Sequence, residues 1–216
     1  MDHSEKATKI RNSLLEWYEK NQNNHYPWRK TSDLYQILIT EILLQKTIAS
    51  NVLNIYTPFF KKYTGFKAIL NTPLEELKSD IKQLGLSNKR SQILKDLSKL
   101  IIDEYKGTIP QDPEVLKQIK GIADYVSNAY LCFGLNKRTL FYDVNIKRFI
   151  SRIFTQNQNE SKIDFFKESL NFLLPDSDVK SIYWAILDFG SKICTKTNPL
   201  CNQCPVSKYC KYYSKD

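Results

Sequence analysis

The sequence predicts an all-α protein, on three observations. Apolar residues recur at helical spacing along the chain, helix-start signals recur between them, and there are only six glycines, with no alternating strand run and no Asn-Gly hairpin turn. Taken in order, Leu14, Leu15, Trp17 and Tyr18 form the first apolar face. Asp33 then precedes a helix whose face is Leu34, Ile37, Leu38, Ile42 and Leu44. Thr72-Pro73-Leu74-Glu75 joins a cap, a Pro at the first helical position and a Glu three residues on. Ser87 is the expected cap of a long helix to about Tyr105, ended by Gly107, and Asp112-Pro113-Glu114 opens another. Ser161 opens a helix to about Leu173, and Asp176 or Ser177 opens the last long one, for about ten short helices in all. Two stretches read as helix–turn–helix hairpins, residues 81–90 turning at Gly85 and residues 116–130 turning at Gly121. A helix amino terminus after such a turn points backbone N–H groups outward, where they can meet a phosphate.

At 216 residues the chain can form one large domain or two small ones, and 42% hydrophobic with 25% charged residues is an ordinary globular balance. The first ten residues carry no apolar signal core, and Glu41 and Asp188 interrupt the strongest apolar runs, so neither export nor a membrane span is expected. The expectation is a cytoplasmic protein in a reducing compartment, where disulfides are improbable. A formal charge of +9 points to a polyanionic partner, because Lys and Arg neutralise phosphates and release their counterions.

Four of the five cysteines fall as Cys194, Cys201, Cys204 and Cys210, a C-x6-C-x2-C-x5-C array. In a reducing compartment such density reads as a metal site, and zinc and iron–sulfur clusters both accept four thiolates. Zinc sites usually come as two short-spaced pairs, whereas only Cys201 and Cys204 are tightly spaced here; the spacing favours a cluster and leaves zinc open. Cys132 stands apart as an expected buried helix residue.

Several motifs precede that array in a fixed order. They are Pro27-Trp28-Arg29, the run from Ile39 to Thr47 (ITEILLQKT), Ile119-Lys120-Gly121-Ile122-Ala123, Tyr142-Asp143-Val144-Asn145-Ile146-Lys147-Arg148, and Leu187-Asp188-Phe189-Gly190. Together they resemble the PWR, SEIMLQQT, LPGVG, VDxNxxR and MDLG segments of the helix–hairpin–helix DNA glycosylases of the endonuclease III and MutY superfamily, over nearly the whole chain. The details are most similar to the small thymine–DNA mismatch glycosylases of archaeal type. The resemblance implies a two-lobed fold: a six-helix barrel at residues 29–136 carrying the hairpin, and a [4Fe–4S] cluster domain made of 1–28 and 137–216, with Cys194, Cys201, Cys204 and Cys210 as cluster ligands. It implies a monomer that binds double-stranded DNA holding a mismatched or damaged base, across a groove where Glu41 and Asp143 meet.

The residue roles follow from the same likeness. Asp143 can cap the helix beginning near Val144, Asp being a favoured cap, and by resemblance also faces the sugar as the catalytic carboxylate. Glu41 is a carboxylate on an otherwise apolar face, which demands a partner or ligand, and by resemblance it reads or protonates the flipped base. Tyr125 stands where relatives that also cut the backbone carry a Schiff-base Lys, and Lys120 does not align with that Lys. This implies a monofunctional enzyme that leaves an abasic site. Tyr125, Ala49 and Trp184 would line the base pocket. Gln45 and Lys46 would fill the vacated hole, and Leu86 or Ser87 would wedge the other strand. Gly121 and Ala123 would offer N–H groups to a phosphate, and Lys89, Arg90, Lys147 and Arg148 either add charge or serve as solvated or structural cations. The chain departs from the pattern at Ala123, where a second Gly is usual, at Asp124, whose charge opposes phosphate contact, and at Trp184, which reshapes the pocket. The sequence runs only a few residues past Cys210, so the extra domain by which adenine glycosylases recognise 8-oxoguanine is not expected, which lowers the adenine reading. The expected reaction is removal of thymine or uracil opposite guanine. The alternatives are adenine excision opposite 8-oxoguanine and a non-catalytic zinc DNA-binding module.

Overall fold

The computed structural model describes residues 3–23, 25–155 and 163–213. These include eleven α-helices, and no strand occurs among them. No helix among the described residues is long and apolar enough to cross a membrane. By contacts the chain divides into two compact units, Asn24–Leu135 and the combination of Met1–Asn23 with Asn136–Asp216. The division falls earlier than the expected boundary at residue 29. Trp28 stacks on Tyr26 at 4.7 Å and tilts against Tyr56 at 5.6 Å, which keeps this segment with the first unit.

The unit Asn24–Leu135 holds α2 (Leu34–Leu44), α3 (Ala49–Lys62), α4 (Phe66–Asn71), α5 (Leu74–Asp80), α6 (Ser87–Asp103), α7 (Pro113–Lys117) and α8 (Asp124–Leu135). Asp33 starts α2 as expected, its carboxylate accepting the N–H groups of Tyr35 and Gln36. All of residues 37–43 are buried, so α2 is the central helix, and burying an Ile or Leu there contributes about 2 kcal/mol. It runs antiparallel to α8. Leu34 lies beside Gly134, where an added Cβ would stand 2.8 Å from Leu34 Cδ2, and Gln45 Nε2 donates to the Gly121 carbonyl at 3.1 Å. Cys132 is buried within α8. Asp80 joins α3 to α5 by accepting from the Tyr63 hydroxyl and the Lys62 ammonium.

The other unit holds α1 (His3–Asn21), α9 (Val144–Phe154), α10 (Ile163–Leu173) and α11 (Val179–Lys192). Helix α1 packs on α10 and α11, and α9 packs on the same two. Asp188 accepts from the Asn23 backbone and side-chain amides, which fastens the end of α1 to α11. Phe189 fills the centre, edge-on to Trp17 and Phe149.

Several expected caps are placed differently. Ser87 is the first helical residue of α6, and the cap is Leu86 in the left-handed conformation, without a side-chain bond. Thr72 does not cap α5; its hydroxyl donates back to Ala68, and Pro73 takes the cap position. Helix α11 starts after Asp178 rather than after Asp176 or Ser177. Helix α6 ends at Asp103, and Gly107, at φ +87°, donates to the Ile101 carbonyl six residues back. Ser161 lies outside the described residues.

Candidate nucleic-acid interface and cysteine site

Three turns meet at one end of the unit Asn24–Leu135. They are the turn after α2 (residues 45–48), the turn before α6 (84–87) and the hairpin turn before α8 (119–123). The first two are joined by Arg90. Its guanidinium, 3% exposed, donates to the carbonyls of Ile42, Leu84, Gly85 and Gln45 and to the Thr47 hydroxyl. Thr47 in turn donates to the Gln45 and Leu84 carbonyls. Gln45 links the first turn to the third through Gly121, and Gly121, at φ +107°, lies against Ile93 of α6. Lys46 and Leu86 both adopt the left-handed conformation, φ +53° and +51°, which is uncommon for side-chain-bearing residues and costs them about 1–2 kcal/mol.

The structure thus brings Gln45, Lys46, Leu86, Ser87, Gly121 and Ala123 onto one set of tied turns. Lys46, Leu86 and Ala123 are exposed, and Gln45, Ser87 and Gly121 are half-buried. Of the roles open to Arg90 in the sequence, phosphate charge or a solvated or structural cation, the structure gives it the structural one, since it is buried. It lies in the same helical row as Ile93, Leu94, Leu97 and Ile101, and that register is the signal that could have marked it as buried. Asp124, whose charge weighed against phosphate contact, is paired with Lys117 at 2.6 Å.

Glu41 lies in the middle of α2, 5% exposed. Its Oε2 has no hydrogen-bond partner among the described residues, and neither do Thr40 Oγ1 and Tyr130 Oη. Burial pushes the carboxyl up to about 8, with the Arg29 charge opposing only partly, so Glu41 is largely protonated at neutral pH. Burial likewise pushes the Tyr130 hydroxyl up to about 12. The antiparallel register, 34 beside 134 and 45 beside 121, brings Glu41 level with the stretch of α8 next to Tyr125, which is half-buried. Ala49 opens α3 and is half-buried, behind the exposed Ile48.

Asp143, in the other unit, caps α9. Its Oδ1 accepts from the Asn145 and Ile146 N–H groups at 2.9 and 2.8 Å, and its Oδ2 accepts from Asn145 Nδ2 at 2.9 Å. Asn145, which the motif contains but to which no role was assigned, accepts from Arg148 through its Oδ1. Arg148 donates further to the Gly190 and Cys194 carbonyls. Arg148 is therefore an internal strut, while Lys147 is exposed with its ammonium 4.8 Å from the Tyr142 ring centre. Gly190 allows this closeness, since an added Cβ would lie 3.1 Å from Asn145 Cβ. Trp184 is half-buried on α11, with the Lys180 ammonium 5.8 Å from its ring.

Cys194, Cys201, Cys204 and Cys210 line one cavity with walls that include Phe149, Ile153, Phe189 and Val206. Burial pushes the Cys204 thiol up to about 12 and raises Cys201 and Cys210, and the neighbouring cysteines add to each shift. Backbone N–H groups of Val206, Tyr212 and Tyr213 oppose this by pointing at the sulfurs of Cys204 and Cys210. Arg152, one turn after Arg148, adds a donor 3.4 Å from Cys194 Sγ and bonds the Thr195 and Lys196 carbonyls. Four crowded thiols ionise together only around a cation, and N–H donors aimed at sulfur stabilise that state, so the donor set fits a four-thiolate centre. As placed, no three His, Cys, Asp or Glu side chains among the described residues converge on a single ion; the sulfurs wall a space instead.

Comparison with known proteins agrees with this architecture. Residues 39–173 match the HhH-GPD superfamily base excision DNA repair protein family. The chain is 35% identical to a thymine/uracil-DNA glycosylase of Methanothermobacter thermautotrophicus, over 99% of this chain and 98% of that protein. It is 32% identical to a thymine/uracil-DNA glycosylase of Pyrobaculum aerophilum, over 96% and 93%. Among solved structures, a thermostable thymine-DNA glycosylase superposes with a TM-score of 0.90 at 34% identity, over 98% of each chain. The chain belongs to the HhH-GPD superfamily of base excision DNA repair proteins.

Proposed function

We propose that this chain is a monofunctional DNA glycosylase that extrudes a thymine or uracil opposite guanine and hydrolyses its N-glycosidic bond. The observation that carries the reading is Glu41: a buried carboxyl, held protonated, with an oxygen that has no hydrogen-bond partner among the described residues. A neutral carboxyl offers one donor and one acceptor, which matches the N3–H and a carbonyl of a thymine or uracil edge. The full-length similarity to glycosylases that carry those bases in their names supports the substrate.

In the reaction the C1′–N bond breaks and its electron pair leaves on the base. Positive charge collects on the sugar, which Asp143 stabilises, and water adds at C1′ while its proton passes to the Asp143 carboxylate. Glu41 would hold the departing base by donating to a carbonyl oxygen as negative charge develops there. Tyr125, where a Schiff-base amine would be needed, supports an abasic-site product without strand cleavage. Ala49 and Trp184 would shape the pocket.

In the same reading Gln45, Lys46, Leu86 and Ser87 fill the helix as the base leaves. Gly121 and Ala123, whose N–H groups meet no acceptor among the described residues, receive a phosphate, and Lys89 and Lys147 add charge. The four cysteines would hold a [4Fe–4S] cluster, which suits sulfurs spread around a space better than zinc at about 2.3 Å from each. Its contribution when bound is a cross-link of residues 194–210 and not the bond cleavage. The protein would act as a monomer on intracellular DNA.

The test is incubation with T·G, U·G and A·8-oxoguanine duplexes, each developed with alkali. Cleavage of the first two after alkali is expected. Cleavage of the last alone would overturn the substrate, and cleavage without alkali would overturn monofunctionality. No cleavage anywhere, with Asp143→Asn binding DNA like the parent, would favour a non-catalytic zinc module.

A further inference from the structure

We infer that Arg90 is a positioning residue that locks the turn after α2 and the turn before α6 into one rigid prong, so that both enter DNA together. The argument starts from what Arg90 bonds. Its donors reach the Gln45 and Gly85 carbonyls, which immediately precede Lys46 and Leu86. Those two are the left-handed residues of the two turns, at φ +53° and +51°. A left-handed Lys or Leu is energetically costly, and here a single guanidinium bonds the carbonyl before each of them. Thr47 completes the cross-link by accepting from Arg90 and donating to Leu84.

The result is that apolar Leu86 and Ile48, 55% and 72% exposed, project from turns that cannot shift separately. Exposed apolar side chains on a stiffened support suit insertion between stacked bases and not solvation. Arg90 also forms no ion pair with a carboxylate among the described residues. Its charge is met only by carbonyls and a hydroxyl, so a net positive field remains behind the turn tips, of the sign that draws a polyanion. Lysine cannot replace it, because one ammonium cannot span five acceptors on two segments.

The inference rests on the glycosylase reading above, and the test separates the two. Single-turnover excision of uracil is compared on a U·G duplex and on a duplex with uracil opposite an abasic gap, where extrusion is least costly. The parent cutting neither substrate would sink the glycosylase reading itself. If the parent cuts both, Arg90→Met and Arg90→Lys are expected to slow U·G excision at least tenfold and gap excision less than threefold. The fluorescence of a 2-aminopurine beside the target should show slowed flipping. Thr47→Val, which leaves Arg90 in place, is expected to give a smaller loss with the same substrate split, and it serves as the folded control if the Arg90 variants melt early. Equal losses on both substrates, or no loss on either, would overturn the assignment.

Discussion

Glu41 carries its proton in the folded protein up to about pH 8, against an ordinary value of 4.5. Because the folded value is raised, the folded state keeps a proton that the unfolded state has lost. The associated stability is fully present below about pH 4.5 and is lost as pH rises towards 8. Glu41→Gln removes the titration. Its melting temperature relative to the parent should therefore climb by about 5 °C or more between pH 5 and pH 8.5. Parallel melting curves would mean that Glu41 is ionised in the fold. Asp143 allows a different separation. Asn caps a helix about as well as Asp, so Asp143→Asn should melt within a degree or two of the parent while excision falls about 100-fold or more. Asp143→Ala should lose the same activity and about 1 kcal/mol of stability besides, read from urea midpoints.

Among the elements, the hairpin before α8 depends on Gly121. Its φ of +107° excludes a side chain at low cost, and an added Cβ would sit 2.5 Å from Ile93 Cδ1. Gly121→Ala is expected to cost about 2 kcal/mol and to weaken DNA binding through displacement of the turn, checked by urea midpoint and by titration with duplex. Elements of this kind were legible in the sequence where a side chain acts locally. Asp33, Asp112 and Asp143 announce their helices because each carboxylate bonds the N–H groups just after it. Starts at Leu86 and Asp178 were not legible, since each is set by a left-handed backbone residue without a side-chain cap bond. In the candidate site, Glu41 stood out as an acid in an apolar row. For Arg90 and Arg148 a structural role could not be told from a solvated one, because their acceptors are carbonyls of other segments, which leave no mark in residue identity.

For the molecule as a whole, the +9 charge predicts DNA affinity that falls linearly on a log–log plot against salt, and a flat plot would remove the electrostatic reading. The cysteine segment predicts a second global property. Residues 194–213 hold only two short 3₁₀ turns and bury little besides Val206 and Cys210, so under the proposed four-thiolate centre their order would depend on the bound group. Stripping metal should abolish amide protection there while α2 and α8 keep theirs, as hydrogen exchange would report. Finally, α1 packs on α10 and α11, which are encoded more than 140 residues later. During synthesis, at roughly 5–20 residues per second, α1 waits with its apolar face uncovered while residues 24–135 can already close on themselves. A ribosome-bound nascent chain should show protease resistance in that central stretch first, which makes α1 the segment most exposed to chaperone capture before translation ends.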